Sequence, residues 1–364
     1  MKFAPYLTLF APSAFNCFSL NLDFKGFKEL YRKRYHSEEL ELKAKNAFNA
    51  NLRKVLEHNS KTSSYKLEIN EFSDMTEEEF ARNRLMDLPY PEEDMEFECP
   101  DRYKYKNNIP DDYLVSLDWR DASKNPLGKN CVTAVKDQGG CGSCYTFSAA
   151  ATMEGNMCMN GLKDCDTWKG ISEQQILDCG SYRLGRDEDK EWFDFHGCSG
   201  GWQSNVIQFN YYVRGVVDSE DYPYVSGKSG RTNECQQMPR TAYPDRYICG
   251  TTSKSGANAT LVKEALFNKG PLAVGMYVGG TFSSYKSGVY VPASSDCPNL
   301  EKTGINHAMT AVAYGRENGL DYWLIKNSWG PNWGDNGFIK VAAGHNYCGI
   351  EGNIAYTNEM VAAN

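Results

Sequence analysis

Three residues of this chain have the types and settings needed for covalent catalysis: Cys144, His307 and Asn327. Cys144 follows a glycine-rich turn, Gln138-Gly-Gly-Cys-Gly-Ser143, and opens the run Cys144 to Met159, which is good helix material. Ser143 is a helix N-cap residue type, so Cys144 is expected in the first helical turn. Unpaired backbone N–H groups and the macrodipole there favour a thiolate over a thiol. Glycines 139, 140 and 142 leave room for a substrate backbone. A lone helical cysteine is more often a buried small apolar residue, so local context leaves the two readings about even.

A thiolate nucleophile also needs a base that later protonates the leaving amine, and histidine suits both roles at mild pH. Beyond residue 109 the chain offers His196, His307 and His345. His307 opens an apolar strand pattern, and the Glu317-Asn318-Gly319 turn folds Leu320 to Lys326 back beside it. Asn327 then returns towards His307, where its amide oxygen can fix the imidazole. A strict two-residue turn sets Asn327 opposite Thr310, about 10 Å too far along at roughly 3.4 Å per residue. A longer loop or a bulge must close that gap. The plainer readings are a strand-end histidine bonded to backbone and a turn asparagine. His345 is expected in a surface loop and His196 at the rim of a substrate site.

These elements together decide between the readings. Cys141-Gly-Ser-Cys144-Tyr145, Asn306-His307-Ala308 and Lys326-Asn327-Ser328-Trp329-Gly330 come in that order, the last two placing His307 and Asn327 163 and 183 residues beyond Cys144. From about Phe24 to its C-terminus the chain resembles a papain-family, cathepsin L-like cysteine protease precursor. The resemblance implies an α+β, papain-like two-lobe fold, with a helical left lobe and an antiparallel, β-barrel-like right lobe behind a helical inhibitory prodomain. It implies a cysteine endopeptidase made as a self-inhibited zymogen and needing no cofactor or metal. Cys144, His307 and Asn327 are its catalytic residues, with Gln138 donating to the oxyanion. Trp329 shields the Asn327–His307 bond from solvent.

Composition agrees with that class. A net charge of −8 and a pI near 5.3 argue against nucleic-acid binding, and no apolar run reaches the about 18 residues of a membrane span. Thirteen cysteines point to an oxidising compartment, lysosomal, vacuolar or extracellular. Residues 1–19 read as a signal peptide, although Pro5 and Pro12 suit one poorly. Residues 20–108 are expected to form an inhibitory propeptide with its cleavage linker, and 109–364 the mature peptidase, as a monomer acting on protein and peptide substrates. Two amphipathic helices are expected between Phe24 and Asn59. Phe48, Asn51, Val55 and Asn59 match the family's helical propeptide motif, but its earlier Glu and Arg positions fall on Leu40 and Ala44. Asn70-Glu-Phe72-Ser-Asp74 matches a second motif, with Glu68 where glycine is usual. Asp87 to Asn108 is a charged linker suited to cleavage. Asn258-Ala-Thr260 is a glycosylation sequon at Asn258.

Eleven cysteines follow residue 109, an odd number that leaves at least one thiol free. The resemblance implies Cys141–Cys198, Cys179–Cys235 and Cys297–Cys348. Cys158 and Cys165 flank an Asn160-Gly161 turn and can pair locally. Elimination leaves Cys131 with Cys249, and Cys144 free. By resemblance Ser199, Gly200, Gly201 and Trp202 bind the substrate backbone, and Trp202, Gln203, Gly275, Ala308 and Asn353 line the second subsite. Gly275 suggests a roomy pocket with Asn353 as a polar floor, for a large apolar or aromatic side chain. Three positions depart from the family: Tyr145 for tryptophan, Ser199 for asparagine, and an acidic, aromatic insertion at 181–195 expected to crowd the cleft. A Cys141-x-x-Cys144 oxidoreductase needs no partner for Cys141 at 198, and an inactive binding homologue needs none of the intact catalytic set.

Overall fold

The computed structural model describes residues 22–87, 106–180, 195–212, 215–244, 247–249, 258–297 and 304–363. The expected signal segment, most of the 87–108 linker and residues 181–194 of the insertion lie outside the described residues. No helix among the described residues is long and apolar enough to cross a membrane.

The N-terminal region is a small helical unit. Helix α1 (Phe24–Leu30) is capped by Asp23, and α2 (Glu38–Ser60) by Ser37 with three glutamates in its first turn. Phe24 and Phe27 pack on Phe48 at ring distances of 5.6 and 4.9 Å. Both asparagines of the first motif tie helix to loop: Asn51 donates to the Ser73 and Met75 carbonyls, while Asn59 bonds Leu67 through both its oxygen and its nitrogen. Leu40 is exposed and Ala44 buried. The ionic anchor runs instead from Lys33 and Tyr35 to Asp74. Asn51→Ala leaves two part-buried carbonyls without a donor. It should destabilise this unit by about 1–3 kcal/mol, read as a lower urea midpoint of the full-length chain and faster self-processing at pH 5. Strand β1 (Tyr65–Leu67) and helix α3 (Glu77–Arg84), closed by a Thr76/Glu79 capping box, complete the unit.

Beyond the short β2 (Leu117–Asp118), the first half of the remaining chain is helical. Helix α4 (Cys144–Met159) buries 14 of its 16 residues, so it lies at a centre rather than on a surface. Helices α5 (Glu173–Gly180) and α6 (Gln203–Tyr212) pack around it, with the one-turn α7 (Ser226–Ser229) nearby. The second half is the sheet: β3 (Ala242–Pro244), β4 (Tyr247–Cys249), β5 (Leu272–Met276), β6 (Tyr285–Tyr290), β7 (His307–Glu317), β8 (Leu320–Lys326), β9 (Phe338–Ala342), β10 (Ile354–Thr357) and β11 (Met360–Ala362). Helix α8 (Ala259–Lys269) packs beside β7 and β5.

Strand order is β1-β6-β9-β8-β7-β5-β10-β4, with β2 on β7 and a separate β3–β11 pair. Among the described residues the sheet is open, so the expected barrel-like lobe is corrected: its two ends do not pair, and β6 runs parallel to β9 in an otherwise antiparallel sheet. Strand β1 of the N-terminal unit adds to the β6 edge, so the two parts share one hydrogen-bonded sheet.

The β7–β8 hairpin turns through Asn318 and Gly319, both at positive φ as a type I′ turn requires. Pairing runs Glu317↔Leu320 to Ala313↔Leu324, then shifts at Val312 so that Thr310 faces Lys326. That bulge moves Asn327 from opposite Thr310 to opposite Met309. A one-residue slip also reverses which face a side chain takes, so Asn327 now shares the face of His307. The remaining two-residue diagonal is within reach of side chains.

Among the described residues, four disulfides join Cys141 to Cys198, Cys158 to Cys165, Cys179 to Cys235 and Cys297 to Cys348. The expected Cys131–Cys249 pair does not form, and Cys131 is a buried free thiol. Its backbone hangs on Trp119, which is bonded to Val312 of β7 on the edge that β5 also uses, whereas β4 lies two strands beyond β5, about 10 Å at roughly 4.8 Å per strand. A disulfide tolerates Cα separations of only about 4.4–6.8 Å.

Candidate active site

Cys144 is the first residue of α4, at the junction between the helical half and the sheet. The backbone N–H of Ala308 donates to its sulfur at 3.4 Å, which brings β7 directly to the thiol. His307 is fully buried, and its Nε2 lies 2.8 Å from Asn327 Oδ1. That same oxygen accepts from the Ser328 N–H at 2.8 Å, which fixes which end of the amide is oxygen. Nε2 must therefore carry the proton, leaving Nδ1 as the basic nitrogen. Nδ1 is buried with no hydrogen-bond partner, the condition of a base without its proton donor. The imidazole stacks on Trp329 at 4.7 Å and 29°. Trp329 is in turn walled by Phe80, Phe282 and Trp333, so the Asn327–His307 bond lies in low dielectric.

Ser143 occupies the N-cap position but does not cap. Its hydroxyl turns to Tyr224 Oη at 2.8 Å, leaving the first N–H groups of α4 to face the sulfur. Burial pushes the Cys144 thiol up to about 12, opposed by the N–H groups of Ala308, Tyr145 and Cys144 itself. Burial likewise pulls His307 down to about 4, against the Asn327 bond that favours its protonated form. As long as the site is covered, thiol and neutral imidazole are the stable pair.

Gln138 is fully buried and oriented by Ser328, whose hydroxyl donates to Oε1 at 2.7 Å. This role of Ser328 was not foreseen; its only sequence signal is its place inside Lys326-Asn-Ser-Trp-Gly330. Gln138 Nε2 is thereby aimed at two carbonyls, those of Cys141 and Arg84, each at 2.9 Å. Arg84 belongs to the N-terminal unit. Its guanidinium bonds Asp137 at 2.7 Å and lies over the Phe72 ring. The chain then crosses the cleft: Met86 N–H donates to Asn306 O and Asp87 N–H to Ser199 O. A side chain on Gly142 would meet the Cys198 carbonyl at 2.5 Å and that of Leu85 at 2.9 Å, so only glycine admits this backbone. Met86 shares an apolar cluster with Cys144, Tyr145 and Ala308.

Of Ser199, Gly200, Gly201 and Trp202, Ser199 meets the crossing segment through its carbonyl, which accepts from the Asp87 N–H. Gly201 lies against the Tyr145 ring, and Phe195 packs on that ring at 5.7 Å. The space over Gly275 is not open as expected: it is taken by Asn353 and Ile305, whose atoms would lie 2.9 to 3.0 Å from an added Cβ. Asn353 is held there by Gln203, which donates to its Oδ1. His345 is exposed and apart from this cluster, whereas His196, also exposed, adjoins it: its N–H donates to the Gly200 carbonyl at 2.9 Å and its carbonyl accepts from the Ser199 N–H at 3.0 Å.

Residues 114–358 match the family described as papain family cysteine protease, and residues 24–80 match the cathepsin propeptide inhibitor domain. Pro-cathepsin H of Bos taurus is 32% identical over 327 residues, covering 90% of this chain and 87% of its own. Cysteine proteinase 3 of Solanum lycopersicum is 35% identical over 335 residues, covering 90% and 82%. Among solved structures, the digestive procathepsin L2 proteinase from Tenebrio molitor larval midgut superposes with a TM-score of 0.73 at 29% identity, over 93% of this chain and 98% of that one. A recombinant stem bromelain precursor gives 0.71 at 29%, over 92% and 97%.

Proposed function

The chain belongs to the papain family of cysteine proteases and carries its own propeptide inhibitor, and from that premise we propose how this cysteine endopeptidase zymogen works. Once the site is uncovered, the proton of Cys144 passes to His307 Nδ1, and the thiolate attacks the scissile carbonyl. The developing oxyanion is received by Gln138 Nε2 and the Cys144 N–H. His307 returns the proton to the leaving amine, and water, deprotonated by the same ring, hydrolyses the thioester. Asn327 keeps the imidazole in register throughout. The Arg84 carbonyl resting on Gln138 Nε2 carries this reading: the propeptide occupies the oxyanion donor itself. Its Arg84 to Asp87 backbone takes the place of substrate on Asn306 and Ser199.

Residues 1–19 are assigned as a signal peptide, 20–108 as propeptide and linker, and 109–364 as the mature enzyme, a monomer. Four disulfides suit a lysosomal, vacuolar or extracellular setting. Asn258 caps α8 through Oδ1, leaving Nδ2 exposed for a glycan. The filled space over Gly275 favours aliphatic over bulky aromatic side chains two residues before the scissile bond. A fluorogenic peptide panel on the acid-activated chain tests both reaction and preference; no hydrolysis would overturn the first, and a best substrate with phenylalanine or tyrosine there the second.

Acid is the natural trigger. A histidine at about 4 when folded and 6.5 otherwise adds nothing above pH 6.5, and its cost to the covered state grows as pH falls towards 4. The full difference is worth roughly 3 kcal/mol. Urea midpoints of the full-length Cys144→Ala chain, which cannot cut itself, should fall between pH 6.5 and 4. Adding His307→Gln should flatten that fall by the same amount.

A further inference from the structure

We propose that Tyr224 is a positioning residue for the oxyanion hole, holding both donors in place through one hydroxyl; the inference rests on the roles given above to Gln138 and Cys144. Tyr224 Oη donates to the main-chain carbonyl of Gln138 at 2.8 Å. Its single proton is spent there, so the 2.8 Å contact to Ser143 Oγ must have serine as donor. The result is a directed chain, Ser143 Oγ–H to Tyr224 Oη–H to Gln138 C=O, in which each bond polarises the next. One end is the residue whose side chain donates to the oxyanion. The other is the residue just before Cys144, whose own N–H is the second donor.

The rest of the neighbourhood leaves this hydroxyl a distinct task. Gln138 is held from the sheet side by its N–H on the Ser328 carbonyl and by the Ser328 hydroxyl on Oε1. From the helical side its carbonyl is held by Tyr224. Gly140 N–H reaches Gly227 O at 2.7 Å, and a Cβ on Gly227 would meet the Gln138 carbonyl at 2.8 Å, so the tyrosine's own segment is pressed against the turn. The tyrosine ring stands edge-on to Phe147 at 4.9 Å, a contact that phenylalanine would keep. Nothing in this chain touches Asn327 or the Nδ1 face of His307. Oxyanion donors act in the acyl transition state, whereas alkylation of the thiolate develops no oxyanion.

The test uses the mature enzyme with Tyr224→Phe and Ser143→Ala. Tyr224→Phe should lower kcat by about 10- to 100-fold, somewhat less than loss of a whole donor, with KM within about twofold. Affinity for a peptide aldehyde, whose hemithioacetal carries an oxyanion, should fall in proportion. The iodoacetamide rate at Cys144 and the Tm should stay near wild type. Ser143→Ala, which breaks the far end of the chain, should move the same readouts in the same direction by less, and it carries the test should Tyr224→Phe yield no enzyme. A kcat within twofold of wild type, or an alkylation rate that falls in step with kcat, overturns the proposal. A wild type that neither hydrolyses peptides nor alkylates at Cys144 would instead overturn the functional reading beneath it.

Discussion

Cys144→Ala should lower peptide hydrolysis by the acid-treated chain by roughly 10⁵-fold or more, the scale set by losing a covalent nucleophile. The full-length chain should also persist uncut at pH 5. Serine should be nearly as damaging, because its hydroxyl is too weak an acid to lose its proton to an imidazole whose orienting group is a neutral amide rather than a carboxylate. The other free thiol among the described residues gives the control. Cys131 sits against Trp119, away from the cleft, and burial pushes it up to about 11, so it is an inert core residue. Cys131→Ala should cost about 1 kcal/mol of stability and leave kcat/KM within twofold. Equal losses at both positions would mean that the chemistry has been assigned to the wrong sulfur.

The second large effect is the masking of the nucleophile. In the covered chain a thiol near 12 is ionised to only about one part in 10⁵ at pH 7. Once the propeptide leaves, the charges of thiolate and imidazolium stabilise each other beside the N-terminus of α4, and the sulfur is largely ionised. Iodoacetamide should therefore label Cys144 in the intact zymogen at least about 10⁴-fold more slowly than in the mature enzyme, counted by peptide mapping so that Cys131 is not confused with it. Similar rates in both forms would show that Arg84 to Met86 do not seal the site. The steric and electrostatic parts of this masking have one origin: the segment that fills the cleft also removes the water that would solvate an ion pair.

The chemistry was legible because it is carried by short local signals. A glycine-rich turn before an apolar helical run fixes Cys144 at a helix start, and a nearly continuous apolar run after His307 fixes it at a strand start. Asn51, Asn59 and Asn70 could be singled out as propeptide positions, but not what they bond: their partners, Ser73, Met75, Leu67 and Ser283, are carbonyls, and a carbonyl leaves no mark on residue identity. For the same reason Arg84 gave no hint that its backbone would reach Gln138. Cys131 was misassigned because counting cysteines assumes that all but one are within bonding distance, and strand order, invisible to a count, put Cys131 and Cys249 far apart. Gly275 misled in the same way: a missing side chain reads as space, but Asn353 and Ile305 come from elsewhere in the chain to fill it.

By itself, then, the sequence singled out Cys144, His307, Asn327 and Gln138 as the candidate catalytic set, told which halves of the chain are helical or extended, and determined that a helical segment precedes a protease. Those follow from propensity, periodicity and residue chemistry, which act over a few neighbours. Only the tertiary structure decided the alignment of the catalytic groups. A single bulge at Val312 turns Asn327 onto the face of His307, and the Tyr224 and Ser328 hydroxyls aim Gln138 from opposite sides. Hydrogen-bond geometry tolerates errors of only a few tenths of an ångström, and contacts between residues 86 and 190 apart meet that tolerance only once the whole chain has packed.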